Sequence, residues 1–384
     1  MVWWTASSPR RRMPHPYRSP EPSWLSPWSV KKALFWLASV ACFSIVLRLR
    51  QVPEPQLRET LAPEECFETR VPVRHVLLPV FDRLEEFLEG PVGTTGGPAV
   101  CTFLHDKISI HFPHAMQQLY SCWSYWQANP KPWVLNIVDA KPTSILERLQ
   151  YAIYERRNQD NPFLTSFGTV LTNVFGVEVV HNQQYETSVQ AKRMDPWLDG
   201  YAMKQGDHHT LRDALVPNMK HCPRQPRIAI LNREKNRALS NVEHLQDWLQ
   251  RAFQVPVPIV YFEGKSFAEQ VEFFAQTDIL LSPHGAQLTG LPFMPRCGGI
   301  LEVFPDGYLI PKFFGSLAEA SELHHAFLYM GDNRYSVEEI QALDMQDAKA
   351  RSRSRQANLC PSAVSVHEGL TQLMEQWQQC CVEL

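Results

Sequence analysis

Apolar runs of strand length alternate with amphipathic segments of helix length in the second half of the chain. Strand-like runs lie at 227–231, 257–261, 279–281 and 300–304, and helical periodicity separates them at 242–253 and 266–276. Strands that alternate with helices in this way form parallel sheets. The pattern predicts a Rossmann-like domain at 224–384, closed by an amphipathic helix that carries Leu370, Leu373, Met374 and Trp377.

The pattern between 71 and 223 is less regular. Apolar strands at 133–138 and 177–180 alternate with Pro-rich loops. We therefore expect a second α/β domain at 71–223, ahead of the Rossmann-like domain.

The first fifty residues have a different character. An uncharged apolar run at 33–47 follows a stretch rich in Pro, Ser, Arg and Trp. It predicts a transmembrane signal anchor at 29–49, between a tail at 1–28 and a stem at 50–70. More basic residues precede the run than follow it, so the positive-inside rule places the tail in the cytoplasm and the rest in the lumen. A cleaved signal peptide is the alternative, although no Ala-x-Ala-like site follows.

Charge and cysteine content narrow the possibilities. A formal net charge of −3 gives no electrostatic basis for nucleic-acid binding. Cys42 lies in the apolar run, and an even number of cysteines remains: Cys66, Cys101, Cys122, Cys222, Cys297, Cys360, Cys380 and Cys381. Four disulfides are possible in a lumenal protein, and buried free thiols are the alternative.

The segment from Asp278 to Gly290 predicts a ligand site. A buried strand breaks at Pro283, exposes His284 and Gly285 on a turn, and is followed by a helix from about Ala286. A helix that starts at the carboxyl end of a parallel strand offers free N–H groups to an anion. Phosphate is the anion that we expect there.

The run His284-Gly-Ala-Gln-Leu-Thr-Gly290 and the downstream Leu-Glu302-Val-Phe-Pro305 resemble motifs of glycosyltransferase family 61. Arg233, Arg237 and Asn241 match a second motif of that family, Arg-x3-Arg-x3-Asn after a strand. Gln287 stands where the family usually has Gly, and Gly290 stands where it has Asn. The family includes plant xylosyl- and arabinosyltransferases and animal O-linked N-acetylglucosaminyltransferases. The resemblance implies the GT-B architecture, in which two Rossmann-like domains face a cleft, and inverting transfer from a UDP-sugar.

A nucleotide-sugar transferase must neutralise a diphosphate. No Asp-x-Asp motif is present to hold a metal, so we expect no metal or other cofactor and assign the task to Arg233 and Arg237. We expect His284, Gly285, Ala286 and Thr289 to contact the donor, with Asn241 beside them. The resemblance implies that Glu302 binds the ribose of the nucleotide. Each of these residues also has a structural alternative. Arg233 and Arg237 could form a solvated pair, and His284 could be a buried structural histidine. The Thr289 hydroxyl could bond to its own backbone, Asn241 could be the first residue of a helix, and Glu302 could form an ion pair within the domain.

Inverting transfer also needs a base on the acceptor side. Besides His284, the catalytic candidates are Asp106 and Asp139, with His105 beside them; structural or surface roles are the alternative.

Two further features have simpler explanations. The pair His208-His209 invites a metal interpretation, although adjacent histidines in such a loop are usually exposed. The basic run from Lys349 to Arg355 is typical of a solvated loop, with phosphate or membrane contact as the alternative.

The sequence thus favours a metal-independent glycosyltransferase of the Golgi or endoplasmic reticulum membrane that acts on a glycan or glycoprotein. The alternative is a catalytically degenerate transferase fold that binds a nucleotide sugar or glycan without turnover and serves as an assembly or chaperone subunit. A nucleotide-binding enzyme unrelated to sugars is disfavoured, because neither a Gly-x-Gly-x-x-Gly nor a Walker motif is present.

Overall fold

The computed structural model describes residues 70–93, 96–106, 109, 111–139, 161–192 and 200–384. The predicted tail and anchor, nearly all of the predicted stem, and Cys42 and Cys66 lie outside these residues. Within the described ranges, no helix combines the length and the apolar composition that crossing a membrane requires.

The smaller of two sheets occupies the first half of the chain. The first described strand, β1 (Val73–Arg74), belongs to the larger sheet. The smaller sheet contains β2 (Leu88–Glu89), β3 (Ala99–His105), β4 (Trp133–Asp139), β5 (Glu178–His181) and β6 (Val189–Ala191). Their order is β2-β6-β3-β4-β5, with only the β2–β6 pair antiparallel. The strands predicted at 133–138 and 177–180 are confirmed.

Two helices cover this sheet in the described part of the chain. Helix α1 (Phe112–Gln127) buries Trp123 and Trp126, and helix α2 (Pro162–Asn173) buries Phe167. Both helices have Pro in the first turn, where its missing N–H costs nothing. Asn161 caps α2 through a hydrogen bond from the Leu164 N–H.

The larger sheet occupies the second half. Its elements are α3 (His208–Leu215), β7 (Ile228–Asn232), α4 (Val242–Phe253), β8 (Ile259–Tyr261), α5 (Phe267–Ala275), β9 (Ile279–Pro283), a 3-10 helix (Ala286–Phe293), β10 (Gly299–Phe304), α6 (Lys312–Ala320), β11 (His324–Tyr329), α7 (Val337–Gln346), α8 (Ala348–Ser354) and α9 (Ala363–Glu383). The order is β1-β11-β10-β9-β7-β8, and every pair except β1–β11 is parallel. The four predicted strands and both predicted helices are confirmed.

The two halves are not packed separately. Strand β1 comes from the predicted first domain but extends the larger sheet, with Val73 opposite Leu328. The rings of Phe163 and Phe267, one from each half, lie 4.8 Å apart in a shared hydrophobic core. The boundary near 223 therefore separates most strands of the two sheets, while contacts join the described residues into one compact unit.

The terminal helix α9 packs on the larger sheet as predicted. It buries Leu370, Leu373 and Trp377. Disulfides tie its end to the preceding chain, as Cys222–Cys381 and Cys297–Cys380, and Cys101–Cys122 joins β3 to α1. Cys360 is disulfide-bonded as well. Disulfide formation is thus confirmed for the described cysteines, and the sequence alone did not reveal the pairing.

Candidate functional site

The larger sheet reverses its strand order between β7 and β9. After β7 the chain forms β8 on one side of it and then returns to form β9 on the other side. The loops that follow β7 and β9 therefore leave the same edge of the sheet side by side. Open parallel sheets bind ligands at such a switch point. The motif at 233–241 and the motif at 284–290 meet here.

Asn232, at the end of β7, fixes the conformation of the first loop. Its side-chain oxygen accepts a hydrogen bond from the Leu239 N–H at 2.8 Å, and its amide donates to the Leu239 carbonyl at 3.2 Å. Arg237 in this loop has φ +62°, a left-handed conformation that costs a non-glycine residue on the order of 1 kcal/mol. The Arg237 N–H donates to the Ala357 carbonyl at 3.1 Å, so the segment before α9 also supports the loop.

Arg233 and Arg237 lie together in this loop. Arg233 is half-buried, and its Nε donates to the Asn236 carbonyl at 2.9 Å. Arg237 is only 8% exposed, and its Nε is buried with no acceptor in the part of the chain that the structure describes. Burial lowers the pKa of Arg237 to about 10, and the nearby positive charge of Arg233 contributes to the shift.

Neither guanidinium forms an ion pair with a carboxylate of the described residues. Burial lowers the pKa of Arg233, and Glu263 opposes the shift from beyond ion-pair distance. Leaving a buried charge without a partner costs several kcal/mol. Two arginines held in this way at a switch point are suited to bind an anion that the protein itself does not supply.

A third arginine was not expected here. The guanidinium carbons of Arg237 and Arg355 lie 5.6 and 5.3 Å from the ring centroid of Tyr308. The basic run from Lys349 to Arg355 is therefore not simply a solvated loop. Most of it forms helix α8, and Arg355 at the end of that helix reaches the cluster, while Lys349 and Arg353 are exposed. No spacing in the sequence distinguishes Arg355 from its basic neighbours.

His284 follows β9 and is almost fully buried. Its Nδ1 lies 2.6 Å from Oε1 of Glu302, and Nε2 of His325 lies 2.9 Å from Oε2 of the same carboxylate. The ring of His284 stacks on Phe304 at 4.9 Å between centroids. Glu302 has no exposed surface and both of its oxygens are occupied. The expectation that Glu302 binds ribose is corrected, because its place in the middle of β10 gives a ligand no access.

The hydrogen bonds define the protonation of this pair. Two imidazole N–H groups aimed at one carboxylate stabilise its anionic form, and Nε2 of a neutral His284 then carries the free lone pair. Burial lowers the pKa of His284 to about 4, and Glu302 opposes that shift. Burial also raises the pKa of Glu302. His284 is thus a neutral histidine at pH 7, oriented by a buried carboxylate.

Gly285 allows the close packing of the two loops. A Cβ atom there would lie 2.2 Å from Nη1 of Arg233 and 2.6 Å from Oε1 of Gln287. A side chain at this position would have to displace Arg233 and Gln287, so the backbone at Gly285 lies directly against the guanidinium.

The helix after the turn is a 3-10 helix rather than an α-helix. The hydroxyl of Thr289 donates to the Ala286 carbonyl at 2.8 Å and is fully buried, which is the structural alternative given for this residue. Ala286 begins the helix and is half-buried. At Gly290 a Cβ atom would lie 2.2 Å from the ring of Phe274, so packing of α5 excludes any larger residue.

Asn241 lies behind the arginine loop. Its side-chain amide donates to the Pro361 carbonyl at 2.8 Å, and it precedes the first residue of α4. Beside the loop, a depression of about 420 Å³ is lined by Arg233, Ser240, Glu243 and Tyr261, among others. The depression is open to a ligand beside Arg233.

The acceptor-side candidates lie at the ends of β3 and β4. Oδ1 of Asp106 accepts from the Ser109 N–H at 2.9 Å. Asp139 accepts from Nδ2 of Asn182 and from Nδ1 of His105, each at 3.1 Å, and these bonds lower its pKa. Both carboxylates therefore already accept hydrogen bonds from neighbouring residues.

Two histidines that the sequence analysis did not select lie nearer to the arginines. His111 and His114, at the start of α1, have rings 5.3 Å apart. The ring of His114 lies 5.6 Å from Phe313, which lies 6.3 Å from His284. Burial lowers the pKa of His111 to about 4, with contributions from His114, Arg355 and Arg237. The pattern His-Phe-Pro-His, with Pro at a helix start, was a signal that could have identified them.

The pair His208-His209 is not exposed as expected. His208 is fully buried, and Nε2 of His209 lies 2.6 Å from Oε2 of Glu322. Ligand atoms of these three residues lie within 4.8 Å of one another. Arg296 is paired with the same Glu322 oxygen at 2.8 Å, and Arg212 adjoins His208. Two adjacent cations oppose a metal ion, and hydrogen bonds and ion pairs account for the cluster.

Comparison with known proteins agrees with the motifs. Residues 110–301, half of the chain, match the family described as Glycosyltransferase 61. The chain belongs to this family. The match includes the start of α1 with His111, the arginine loop and the turn at His284, so both sides of the candidate site lie within it.

Individual relatives match a shorter part of this member of family 61. It is similar to protein O-linked-mannose beta-1,4-N-acetylglucosaminyltransferase 2 of Bos taurus, 35% identical over 116 residues, which is 30% of this chain and 20% of that protein. The Homo sapiens protein of the same name is 35% identical over 78 residues, 20% of this chain and 13% of its own. The Xenopus tropicalis protein is 35% identical over 80 residues, 21% and 14% respectively. The aligned part spans a fifth or less of the length of each relative.

Proposed function

We propose that this family 61 protein is an inverting, metal-independent glycosyltransferase that uses a UDP-sugar as its donor. One observation carries the proposal. Among the described residues, Arg233 and the buried Arg237 have no carboxylate partner, and both lie at the switch point of a parallel sheet. A nucleoside diphosphate supplies the negative charge that these residues lack, and its leaving group requires stabilisation of that kind.

The donor would lie along the carboxyl edge of the larger sheet. The diphosphate would contact Arg233 and Arg237, and the nucleoside would occupy the depression beside Tyr261. Glu243, which is exposed in that depression, replaces Glu302 as the proposed partner of the ribose hydroxyls. Because guanidinium groups can balance the diphosphate, the site needs no metal ion for that task.

His284 would act where charge develops on the leaving group. Its pKa of about 4 keeps it neutral in the free protein, because burial and nearby arginines disfavour the imidazolium. A diphosphate beside the ring favours the imidazolium, since opposite charge stabilises it. Nε2–H could then donate to the leaving oxygen while Glu302 balances the ring. This contact would be strongest in the transition state, where it raises turnover.

On the acceptor side we propose His111 as the base, in the GT-B arrangement of two facing domains. Its Nδ1 is buried and has no hydrogen-bond partner among the described residues. In the transfer, the acceptor oxygen forms a bond to the anomeric carbon as the bond from that carbon to the diphosphate breaks, and the hydroxyl proton moves to the imidazole. Inversion follows from a single displacement. Asp106 and Asp139 are the alternative bases. Burial lowers the pKa of His114, and Asp106 is close enough to oppose that shift.

Xylose, arabinose and GlcNAc are the proposed donor sugars, and the name of the vertebrate relatives favours GlcNAc. The proposed acceptor is a glycan or glycoprotein in the Golgi or endoplasmic reticulum.

The segment at 29–49 would anchor the chain with its catalytic part in the lumen. A tag at Leu384 should then resist protease in intact microsomes, and digestion without detergent would overturn this topology.

The experiment uses the full chain purified in detergent. Thermal shift against UDP-xylose, UDP-arabinose, UDP-GlcNAc and GDP-sugars tests donor binding, because a ligand that binds the native state raises the melting temperature. UDP release is then measured with an acceptor library, with and without EDTA. Stabilisation by no nucleotide sugar would overturn the proposal, and loss of activity in EDTA would overturn metal independence.

A catalytically degenerate binding protein is the second candidate. Gln287 and Gly290 favour it, because they depart from the family motif. Stabilisation by a UDP-sugar without UDP release across the acceptor library would select this alternative.

A further inference from the structure

Gln287 makes a specific bridge inside the candidate site. Its Oε1 accepts a hydrogen bond from Nη1 of Arg233 at 2.7 Å. Its Nε2 donates to Oγ of Ser282 at 3.2 Å and to the Pro283 carbonyl at 3.2 Å. The amide therefore connects the arginine of one loop to the strand that precedes the other loop.

The anchor of this bridge is rigid. Ser282 is fully buried in β9, and its hydroxyl donates to the Leu231 carbonyl of β7 at 3.0 Å. The environment also fixes the orientation of the Gln287 amide. Reversal would place its NH2 group against the guanidinium and its oxygen against the Pro283 carbonyl, exchanging favourable contacts for repulsive ones.

The bridge determines which part of Arg233 can bind a ligand. Nε is occupied by the Asn236 carbonyl and Nη1 by Gln287. Nη2 has no acceptor among the described residues. The backbone of Gly285 lies against Nη1, where a Cβ atom would be 2.2 Å away. The guanidinium is thus held on two edges, and one nitrogen remains for an incoming oxygen.

We infer that Gln287 is a positioning residue that holds Arg233 in the orientation in which it binds the donor diphosphate. The inference rests on the proposed function. A free arginine loses rotamer entropy when it binds, whereas one fixed by the fold has lost it already. Gln287, although it departs from the family motif, would then strengthen donor binding at this site rather than impair it.

The first measurement is UDP affinity, by isothermal titration calorimetry on the full chain. Gln287→Leu removes both ends of the bridge and should weaken UDP binding by roughly 3- to 10-fold, the cost of ordering one long side chain. Gln287→Glu should weaken it more, because a carboxylate on Nη1 neutralises the arginine and repels the diphosphate. The control is Gln276→Leu, an exposed glutamine whose amide donates to Glu272 at 3.0 Å. It should leave affinity unchanged.

A double-mutant cycle separates positioning from a general structural effect. If Gln287 acts through Arg233, Gln287→Leu should cause no further loss in an Arg233→Ala background. Equal losses in both backgrounds would overturn the inference, as would unchanged or tighter binding by Gln287→Leu. If Leu lowers the thermal midpoint, Gln287→Met, which keeps the chain length, replaces it in the cycle.

Failure of the proposed function gives a different result. In that case the wild-type chain binds no UDP. The affinity for pyrophosphate is then measured at several salt concentrations for the wild type and for each variant of the cycle. Absence of pyrophosphate binding as well would overturn both proposals together. UDP binding by the wild type with an additive cycle would overturn the role of Gln287 alone.

Discussion

Oε1 of Glu302 lies 2.6 Å from Nδ1 of His284, and the other carboxylate oxygen lies 2.9 Å from Nε2 of His325. The carboxylate has no exposed surface. Glu302 can therefore influence a ligand only through the orientation and protonation of His284. The two residues, 18 positions apart, act as a unit because β9 and β10 are adjacent parallel strands.

Glu302→Gln and His284→Ala should consequently fail in the same way. Each should lower turnover by roughly 100- to 1000-fold, the usual cost of losing one leaving-group contact, with a smaller effect on the donor Michaelis constant. The double variant should be no worse than the single ones. Steady-state kinetics test this prediction. A raised donor Michaelis constant with normal turnover in Glu302→Gln would instead indicate that Glu302 binds the ribose.

Arg233→Ala should weaken UDP binding by roughly 1.5–3 kcal/mol, because it removes a charge-assisted contact. Arg251→Ala, an exposed arginine on α4, is the matched control and should bind normally. Calorimetry on the folded variants measures both. Near-normal affinity of Arg233→Ala would remove this arginine from the site.

Arg237→Met should separate stability from binding. It replaces a buried charge, which has no ion-pair partner among the described residues, by an apolar side chain, so the free energy of unfolding without ligand should rise by roughly 1 kcal/mol or more. UDP affinity should fall at the same time. Urea titrations with and without UDP test the prediction, and a variant that loses stability in the absence of UDP would show that Arg237 has a structural role instead.

The pH dependence of the reaction should report His111. Its pKa of about 4 lies below the ordinary 6.5, so it is neutral and able to accept a proton at pH 6 to 7. The acid limb of kcat/KM should fall near pH 4, and that of kcat should lie higher, since bound diphosphate favours the imidazolium. His111→Asn should abolish transfer but keep UDP binding. Retained transfer with an unchanged acid limb would shift the assignment to Asp106 or Asp139.

The same shift affects stability. As pH falls from 6.5 towards 4, the unfolded chain binds a proton at this residue and the folded chain does not, so stability is lost over that interval and is full above it. His111→Asn should reduce the slope of stability against pH there. Urea midpoints at pH 7 and pH 5 provide the measurement.

Gly290→Asn should destabilise the fold rather than restore a family feature. A Cβ atom at Gly290 would lie 2.2 Å from the Phe274 ring, whereas nothing lies within 4 Å of a Cβ at Gly93. We expect a loss of roughly 1–3 kcal/mol from overpacking at Gly290 and almost none in the control Gly93→Asn. Urea unfolding of both variants checks this. Equal stability would mean that the 3-10 helix shifts freely away from α5.

Local patterns in the sequence determined much of the fold. The strands from β7 to β10 and the helices between them were predicted because alternation and helical periodicity depend on residues only a few positions apart. The turn at His284 and Gly285 was predicted for the same reason, but the expectation that it exposes these two residues was wrong, because packing buries both. The arginine loop was also recognised, because Arg233, Arg237 and Asn241 match a motif of family 61 that follows a strand.

Only the tertiary structure decided which residues complete the site. Arg355 lies with Arg237 against Tyr308, and His111 lies near enough for both arginines to lower its pKa, although all of them come from distant parts of the chain. Nothing in the neighbourhood of Arg355 in the sequence marks it, whereas His111 precedes a Pro at a helix start. Glu302 was recognised as unusual, but its partners became apparent only when β10 was placed between β9 and β11. Strand β1 likewise joins a sheet whose other strands begin about 150 residues later. The periodicity of apolar residues indicates which face of a helix or strand is buried. Strand order and loop packing determine which distant side chains contact that face.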